Sequence, residues 1–357
     1  MKHLILLTTF ALLLKATLLN ATSISIFDQN IEVIGAKYEN KSELGREFLR
    51  FQPDLYAMKS HKLSFNPLNG RTSSGIVLRF RTKSPNISLS FKTIVKEMNR
   101  GSNYGIYQNG EWVRSIDFGN KSLEHKLSLN TKYPRRSVTY EIVLPSWSNP
   151  HLTSFNVDNG FHLETLKSDP KPIYVALGDS ISHGVGQDSA SFLNWPWLLS
   201  QRIDHHLFNL AVGGAKISIP IAKQLKDWER IHLITLLIGY NDWNFMGKDA
   251  DTFAQDYKDL IMTIRENHPN TKIVCLRPLY TRTIKSKKSG IPLDPFREKI
   301  SEIVRELQHN GDSNIQCIRS DEFSNESYLR GDESPKDPVH LGKEGAKMLA
   351  EEIASRL

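Results

Sequence analysis

Cysteine is almost absent from this chain: Cys275 and Cys317 are the only two among 357 residues. That excludes a scaffold stapled by several disulfides, so the fold has to stand on a buried core. Each cysteine lies inside a short apolar run, which leaves two readings, a pair of buried thiols on neighbouring strands or a single bond. Long apolar stretches are also scarce. The one such run, Leu4 to Leu19, is broken by Lys15 and has no successor, so no stable membrane anchor is predicted. Internal repeats, low-complexity tracts, a Gly-rich phosphate loop and a dinucleotide fingerprint are all missing. His205-His206 has no carboxylate or cysteine ligand at helical spacing and the other histidines are scattered, so no metal site and no cofactor are predicted. No basic helix and no basic patch interleaved with aromatics occurs, so nucleic acid is not a predicted partner.

What is present begins with a leader. Lys2 and His3 precede the apolar run and small residues surround Ala21, the pattern of a secretory signal peptide over residues 1–22. No cysteine stands beside the cleavage region to carry a lipid, so the predicted location is secreted or periplasmic. The formal charge of +7 becomes +5 without Lys2 and Lys15. A surplus of that size fits an ordinary solvated surface and equally an anionic polysaccharide partner.

The length suggests two domains beyond the leader, and the periodicity changes once. From about residue 24 to 165 it is two: Ile76, Leu78 and Phe80 alternate with Val77, Arg79 and Arg81, and Ile87, Leu89 and Phe91 alternate with serine and lysine. Asn109-Gly110 between two strand-like runs signals a hairpin, because both central residues of that tight turn need positive φ. These features predict an antiparallel β-sandwich over residues 23–168. After Asp169-Pro170-Lys171, apolar runs at residues 173–177, 207–212, 231–238, 273–276 and 315–318 alternate with helical periods. That pattern predicts an α/β domain over residues 169–357, a parallel sheet with helices on both faces.

Ligands of such sheets bind outside the carboxyl ends of the strands, and four chemically suggestive segments fall there. Gly178-Asp179-Ser180 follows the first strand of this domain and would leave Ser180 exposed. A serine hydroxyl needs a base, and His340 within Asp337-Pro338-Val339-His340 is the candidate. Asp337, three residues earlier, can hold one imidazole nitrogen and leave the other facing Ser180. Acyl transfer also needs donors where the oxyanion forms. The segment Asn209 to Gly214 ends in Gly213 and Gly214, where a backbone N–H can be approached without a Cβ in the way. Asn241, in Gly239-Tyr240-Asn241-Asp242, would add a side-chain amide.

The order and character of these blocks resemble the SGNH (GDSL) hydrolase family over residues 171–357. The resemblance implies a flavodoxin-like sheet, a Ser180–His340–Asp337 triad and an oxyanion hole built from the Ser180 N–H, the Gly214 N–H and the Asn241 amide. Where the family often has Asn-Leu-Gly, this chain has Ala211, which leaves the donor untouched. The preceding jelly-roll-like sandwich resembles the N-terminal domain of two-domain bacterial carbohydrate esterases of the acetylxylan-esterase type, through Leu44-Gly45-Arg46 and the stretch 75–82. The activity implied is an esterase removing acyl, foremost acetyl, groups from an acylated polysaccharide. A lipase, lysophospholipase or thioesterase, or a carbohydrate-binding protein with a disabled site, are the rivals.

For specificity, Trp243 follows Asn241 by two residues and reads as a pocket wall or as core. Trp195 and Trp197, flanking Pro196, read as helix packing. The loop carrying Arg277, Arg282, Lys285, Lys287 and Lys288 should emerge on the catalytic side, as an attractor for an acidic glycan or as a solvated basic loop.

Overall fold

In the computed structural model, residues 21–93, 102–119, 122–167, 170–187, 193–331 and 336–357 are described. The leader up to residue 20 lies outside them, as does Asp169, whereas Ala21 and Thr22 open the first strand.

Two antiparallel sheets form the sandwich. One contains β1 (Ala21–Ile24), β3 (Tyr38–Ser42), β4 (Gly45–Leu49), β6 (Asn86–Thr93), β9 (Glu124–Asn130) and β11 (Pro150–Asp158). The other contains β2 (Glu32–Ile34), β5 (Val77–Thr82), β7 (Asn103–Gln108), β8 (Glu111–Asp117), β10 (Val138–Val143) and β12 (Leu163–Glu164). Their orders are β3-β4-β11-β6-β9, with β1 on β11, and β12-β5-β10-β7-β8, with β2 on β5. The period-two reading holds residue by residue: Ile76, Leu78, Phe80, Ile87, Leu89 and Phe91 all point into one core. Asn109 and Gly110 turn β7 into β8 with φ of 52° and 81°.

The second domain has five parallel strands, β13 (Ile173–Gly178), β14 (His206–Asn209), β15 (Ile231–Leu237), β16 (Lys272–Leu276) and β17 (Ile315–Ile318), in the order β14-β13-β15-β16-β17. Its longer helices are α1 (Trp195–Arg202), α2 (Ala250–Arg265), α3 (Asp294–His309) and α4 (Lys343–Ala354). Phe253, Tyr257, Leu260, Ile261 and Ile264 bury one stripe of α2, and Phe296, Ile300, Ile303, Val304 and Leu307 that of α3. Strand order reverses at β13, which has β14 on one side and β15 on the other. The crevice beyond their carboxyl ends is the switch point where a ligand fits. Cys275 and Cys317 are register partners on β16 and β17, and both are free thiols.

One stretch of the first segment packs away from the sandwich. Between β4 and β5 run short helical turns, Pro53–Ala57, Ser60–Leu63 and Pro67–Gly70. Phe51, Leu55, Leu63 and Phe65 from this stretch belong to the core of the α/β domain, not to that of the sandwich. Gly75 lies where a Cβ would come within 3.0 Å of Asn209 Cβ, so backbone from the first domain closes directly on β14. No helix among the described residues is long and apolar enough to cross a membrane.

Candidate active site

β13 runs straight into a helical turn at Ser180, capped by Asp179, whose Oδ1 accepts from the Ile181 N–H at 3.0 Å. The serine is half-buried at the crevice. From the other end of the chain, the turn before α4 delivers His340 and Asp337. Asp337 Oδ1 accepts from the backbone N–H groups of Val339 (3.0 Å) and His340 (2.9 Å), and Oδ2 lies 2.8 Å from His340 Nδ1. Burial alone would raise the Asp337 pKa, but these donors, the His340 ring foremost, hold it well below the usual carboxylate range. An ionised carboxylate only accepts, so Nδ1 carries the proton and Nε2 presents its lone pair to Ser180 Oγ, 2.8 Å away. Residues 160 positions apart are thus aligned for proton removal from the hydroxyl.

The second part of the candidate site is the extension of β14. Leu210 N–H and Val212 N–H donate to Ala176 and Gly178 on β13, and a turn closes from Ala215 N–H to Val212 O at 2.9 Å. Gly214 sits in that turn with φ of 79°, exposed, with open space where a Cβ would stand. Its N–H has no backbone acceptor among the described residues. Asn241, at the end of β15, donates one amide hydrogen to Ala215 O at 2.8 Å, which fixes the side chain beside Gly214 and leaves its second hydrogen. Asp242 is fully buried. It accepts from Ile217 N–H and from Lys248 Nζ (2.7 Å), and burial raises its pKa against the pull of Lys248. The motif therefore divides its labour: Asn241 bonds the turn after Gly214 and Asp242 anchors the Ile217 N–H and Lys248.

Gly213, the alternative donor, is already committed. Its N–H donates to His183 Nδ1 at 2.9 Å, and its missing Cβ makes room for Trp147, whose ring would lie 2.1 Å from that atom. Trp147, from the turn between β10 and β11, stacks on His183 at 4.0 Å between ring centroids. This tryptophan of the sandwich packs against the Gly213–Gly214 turn.

Trp243 is not a pocket wall. It is 0 % exposed and donates from Nε1 to Ile291 O at 2.7 Å, because the turn after Asn241 carries the ring inward, beneath the basic loop. Trp195 and Trp197 are buried. Lys285, Lys287 and Lys288 are exposed, with Lys287 Nζ 5.8 Å from the centre of the Phe245 ring. Arg277 is instead buried against Asp321 and Glu298, and Arg282 bonds the carbonyl of Asp337 and pairs with Glu326. Lys285, Lys287 and Lys288 therefore form no ion pair among the described residues, while Arg282 braces the turn that carries Asp337 and His340. Among the described residues no three His, Cys, Asp or Glu side chains come together as a metal site.

Residues 176–348 match the model of the GDSL-like Lipase/Acylhydrolase family. No curated protein matches the sequence. Among solved structures, a salicylyl-acyltransferase from a tetracycline biosynthetic pathway is similar, with a TM-score of 0.80 at 21 % identity, over 94 % of this chain and 96 % of that one. A family two carbohydrate esterase from Clostridium thermocellum, solved with cellohexaose, has a TM-score of 0.66 at 13 % identity, over 91 % and 98 %. An acetyl xylan esterase from Butyrivibrio proteoclasticus has a TM-score of 0.59 at 12 % identity, over 95 % and 98 %. All three likenesses extend through both domains. By its fold, its blocks and the family match, the stretch 176–348 is a GDSL-like lipase/acylhydrolase domain.

Proposed function

We propose that the protein is a secreted or periplasmic serine esterase that removes O-acetyl groups from a polysaccharide. The observation that carries the reading is the unbroken relay Asp337–His340–Ser180, with both bonds at 2.8 Å. Ser180 Oγ attacks the acetyl carbonyl as His340 Nε2 takes its proton. Asp337 stabilises the imidazolium, and His340 then gives that proton to the departing sugar oxygen, which leaves as the alcohol. Water resolves the acyl-enzyme with the same histidine as base, while the N–H groups of Ser180 and Gly214 and the Asn241 amide carry the oxyanion.

Support for a carbohydrate substrate comes from the two-domain likeness to carbohydrate esterases and from the rim cations, which suit an acidic glycan. Export rests on the leader at residues 1–22. The test is acetate release from a panel of acetylated polysaccharides by the protein and by Ser180→Ala, with acetyl and octanoyl esters compared in parallel. Acetate release that survives Ser180→Ala refutes the nucleophile, and a preference for octanoyl esters refutes the acyl class.

The likeness to an acyltransferase through both domains favours one further reading, transfer of the acyl group to an alcohol instead of water. Partitioning of the acyl-enzyme between water and added alcohols separates the two, since a hydrolase yields free acid throughout.

A further inference from the structure

β14 is an edge strand, so the carbonyls of its extension that face away from β13 have no strand to bond them. The first domain supplies the missing donors. Arg50 Nη1 donates to the carbonyls of Asn209 (2.6 Å) and Ala211 (2.8 Å), and the Asn69 side-chain amide donates to that of Gly213 at 3.1 Å. Alternate carbonyls 209, 211 and 213 are thus gripped in series. The last is decisive, because the Gly213 carbonyl and the Gly214 N–H belong to one planar trans peptide and point in opposite directions. Holding the oxygen aims the hydrogen.

Arg50 also fixes the grip itself. Its Nη2 donates to the carbonyls of Asn69 (3.3 Å) and Gly70 (3.1 Å), and Nε to that of Thr72 at 2.7 Å. The guanidinium is fully buried and no carboxylate among the described residues bonds it. Burial lowers its pKa to about 10, which still leaves it charged at neutral pH. A planar fork with five donors is the side chain that can satisfy so many carbonyls at once.

We propose that Asn69 and Arg50, both from the first domain, are positioning residues of the oxyanion hole: Asn69 aims the Gly213–Gly214 peptide and Arg50 locks Asn69's turn to the β14 extension. The connection between β4 and β5 is then part of the catalytic machinery and not a detachable accessory. This rests on the serine-esterase reading.

The full-length protein, Asn69→Ala and Arg50→Lys are compared for hydrolysis of an acetyl ester and for inhibition by a boronic acid, which becomes a tetrahedral anion on Ser180. Asn69 is half-buried at the surface of its turn, so its truncation tests the idea even where Arg50→Lys fails to fold. The expected result for Asn69→Ala is a kcat lower by roughly 10- to 100-fold, short of the loss of a donor itself, with KM changed less than about threefold. Boronate affinity falls in parallel. Unchanged kcat and boronate affinity in Asn69→Ala overturn the proposal, as does a loss confined to KM. A wild-type protein that neither hydrolyses acetyl esters nor binds boronate refutes the esterase reading instead, before any variant is compared.

Discussion

The Gly213 N–H donates to His183 Nδ1 at 2.9 Å, and that one bond fixes the tautomer of a fully buried imidazole. A backbone N–H cannot accept, so the proton resides on Nε2, where Ser146 O (2.8 Å) and Thr72 Oγ1 (2.7 Å) receive it. Burial, reinforced by the charge of Arg50, holds the His183 pKa well below its ordinary value, so the ring stays neutral. His183→Phe keeps the stack with Trp147 but strands the Gly213 N–H and the Ser146 carbonyl. Destabilisation of about 3 kcal/mol in urea unfolding and a loss of kcat follow. A Phe variant as stable as the parent would show that the contact is dispensable.

Neighbouring glycines respond oppositely to alanine. At Gly213 the added methyl meets the Trp147 ring at 2.1 Å, whereas at Gly214 it meets nothing within 4 Å and only the φ of 79° resists it. Gly213→Ala is expected to lose about 1–3 kcal/mol of stability, and a second substitution, Trp147→Leu, to restore part of it. Gly214→Ala costs less stability, and its effect appears in kcat because the donor turn is strained. Thermal unfolding of the four proteins checks this; equal losses at both glycines would contradict it.

In the triad, Asp337→Asn removes the acceptor that keeps the proton on His340 Nδ1. A kcat lower by roughly 10³–10⁴ is expected with little change in KM, as for a wrong tautomer. Since Asp337 Oδ1 also caps two backbone N–H groups, Asn retains that bond only if its oxygen faces them. A crystal structure of the variant reports which orientation it takes, and kcat within tenfold of the parent would remove Asp337 from the mechanism.

The succession of parallel strands, the strand-end placement of Ser180, Gly214 and Asn241, and the Asp337–His340 turn were legible because each is a local signal. Apolar period marks the strand, and the polar residue that ends it marks the rim. What stayed hidden is what crosses between domains. Nothing near Arg50, Asn69 or Trp147 in sequence distinguishes them from surface residues, since their partners lie 144 positions away in the Asn69–Gly213 bond and 159 in the Arg50–Asn209 bond. The apolar residues Phe51 to Phe65 were likewise assignable to either core. Trp243 illustrates the converse: two residues from Asn241 in sequence, it is turned away from the crevice because the wider helical turn over Asp242–Met246 places it on the inner face.

Neutralising Lys285, Lys287 and Lys288 to glutamine tests the charge of the rim. All three are exposed, so stability is expected to stay within about 0.5 kcal/mol. KM is expected to rise for anionic glycans, and more so at low salt, while neutral substrates are unaffected. An equal change for both substrate classes would argue against electrostatic attraction.

Asp179 gives the site a pH-dependent cost. Full burial pushes its pKa up to about 6, against the Ile181 N–H bond and His340, which lower it, and with Asp242 adding repulsion. A carboxyl whose folded pKa is raised is least costly when protonated in both states, below its unfolded value near 3.8. As pH rises from about 3.8 to about 6 the unfolded chain gives up this proton while burial keeps it in the native state, so stability falls by roughly 3 kcal/mol and is level above that. Asp179→Asn cannot ionise and can still accept from Ile181 N–H. The variant should therefore unfold at a higher temperature than the parent at pH 8, with the difference shrinking to nothing by about pH 4. Taking the difference cancels the opposite contribution of His183, which is present in both proteins. A gap that does not change with pH would mean that Asp179 is not the group carrying the burden. Activity follows a separate course, because the residue lies beside His340: if ionised Asp179 also stabilises the imidazolium, Asp179→Asn lowers kcat at pH 8 while it raises the melting temperature.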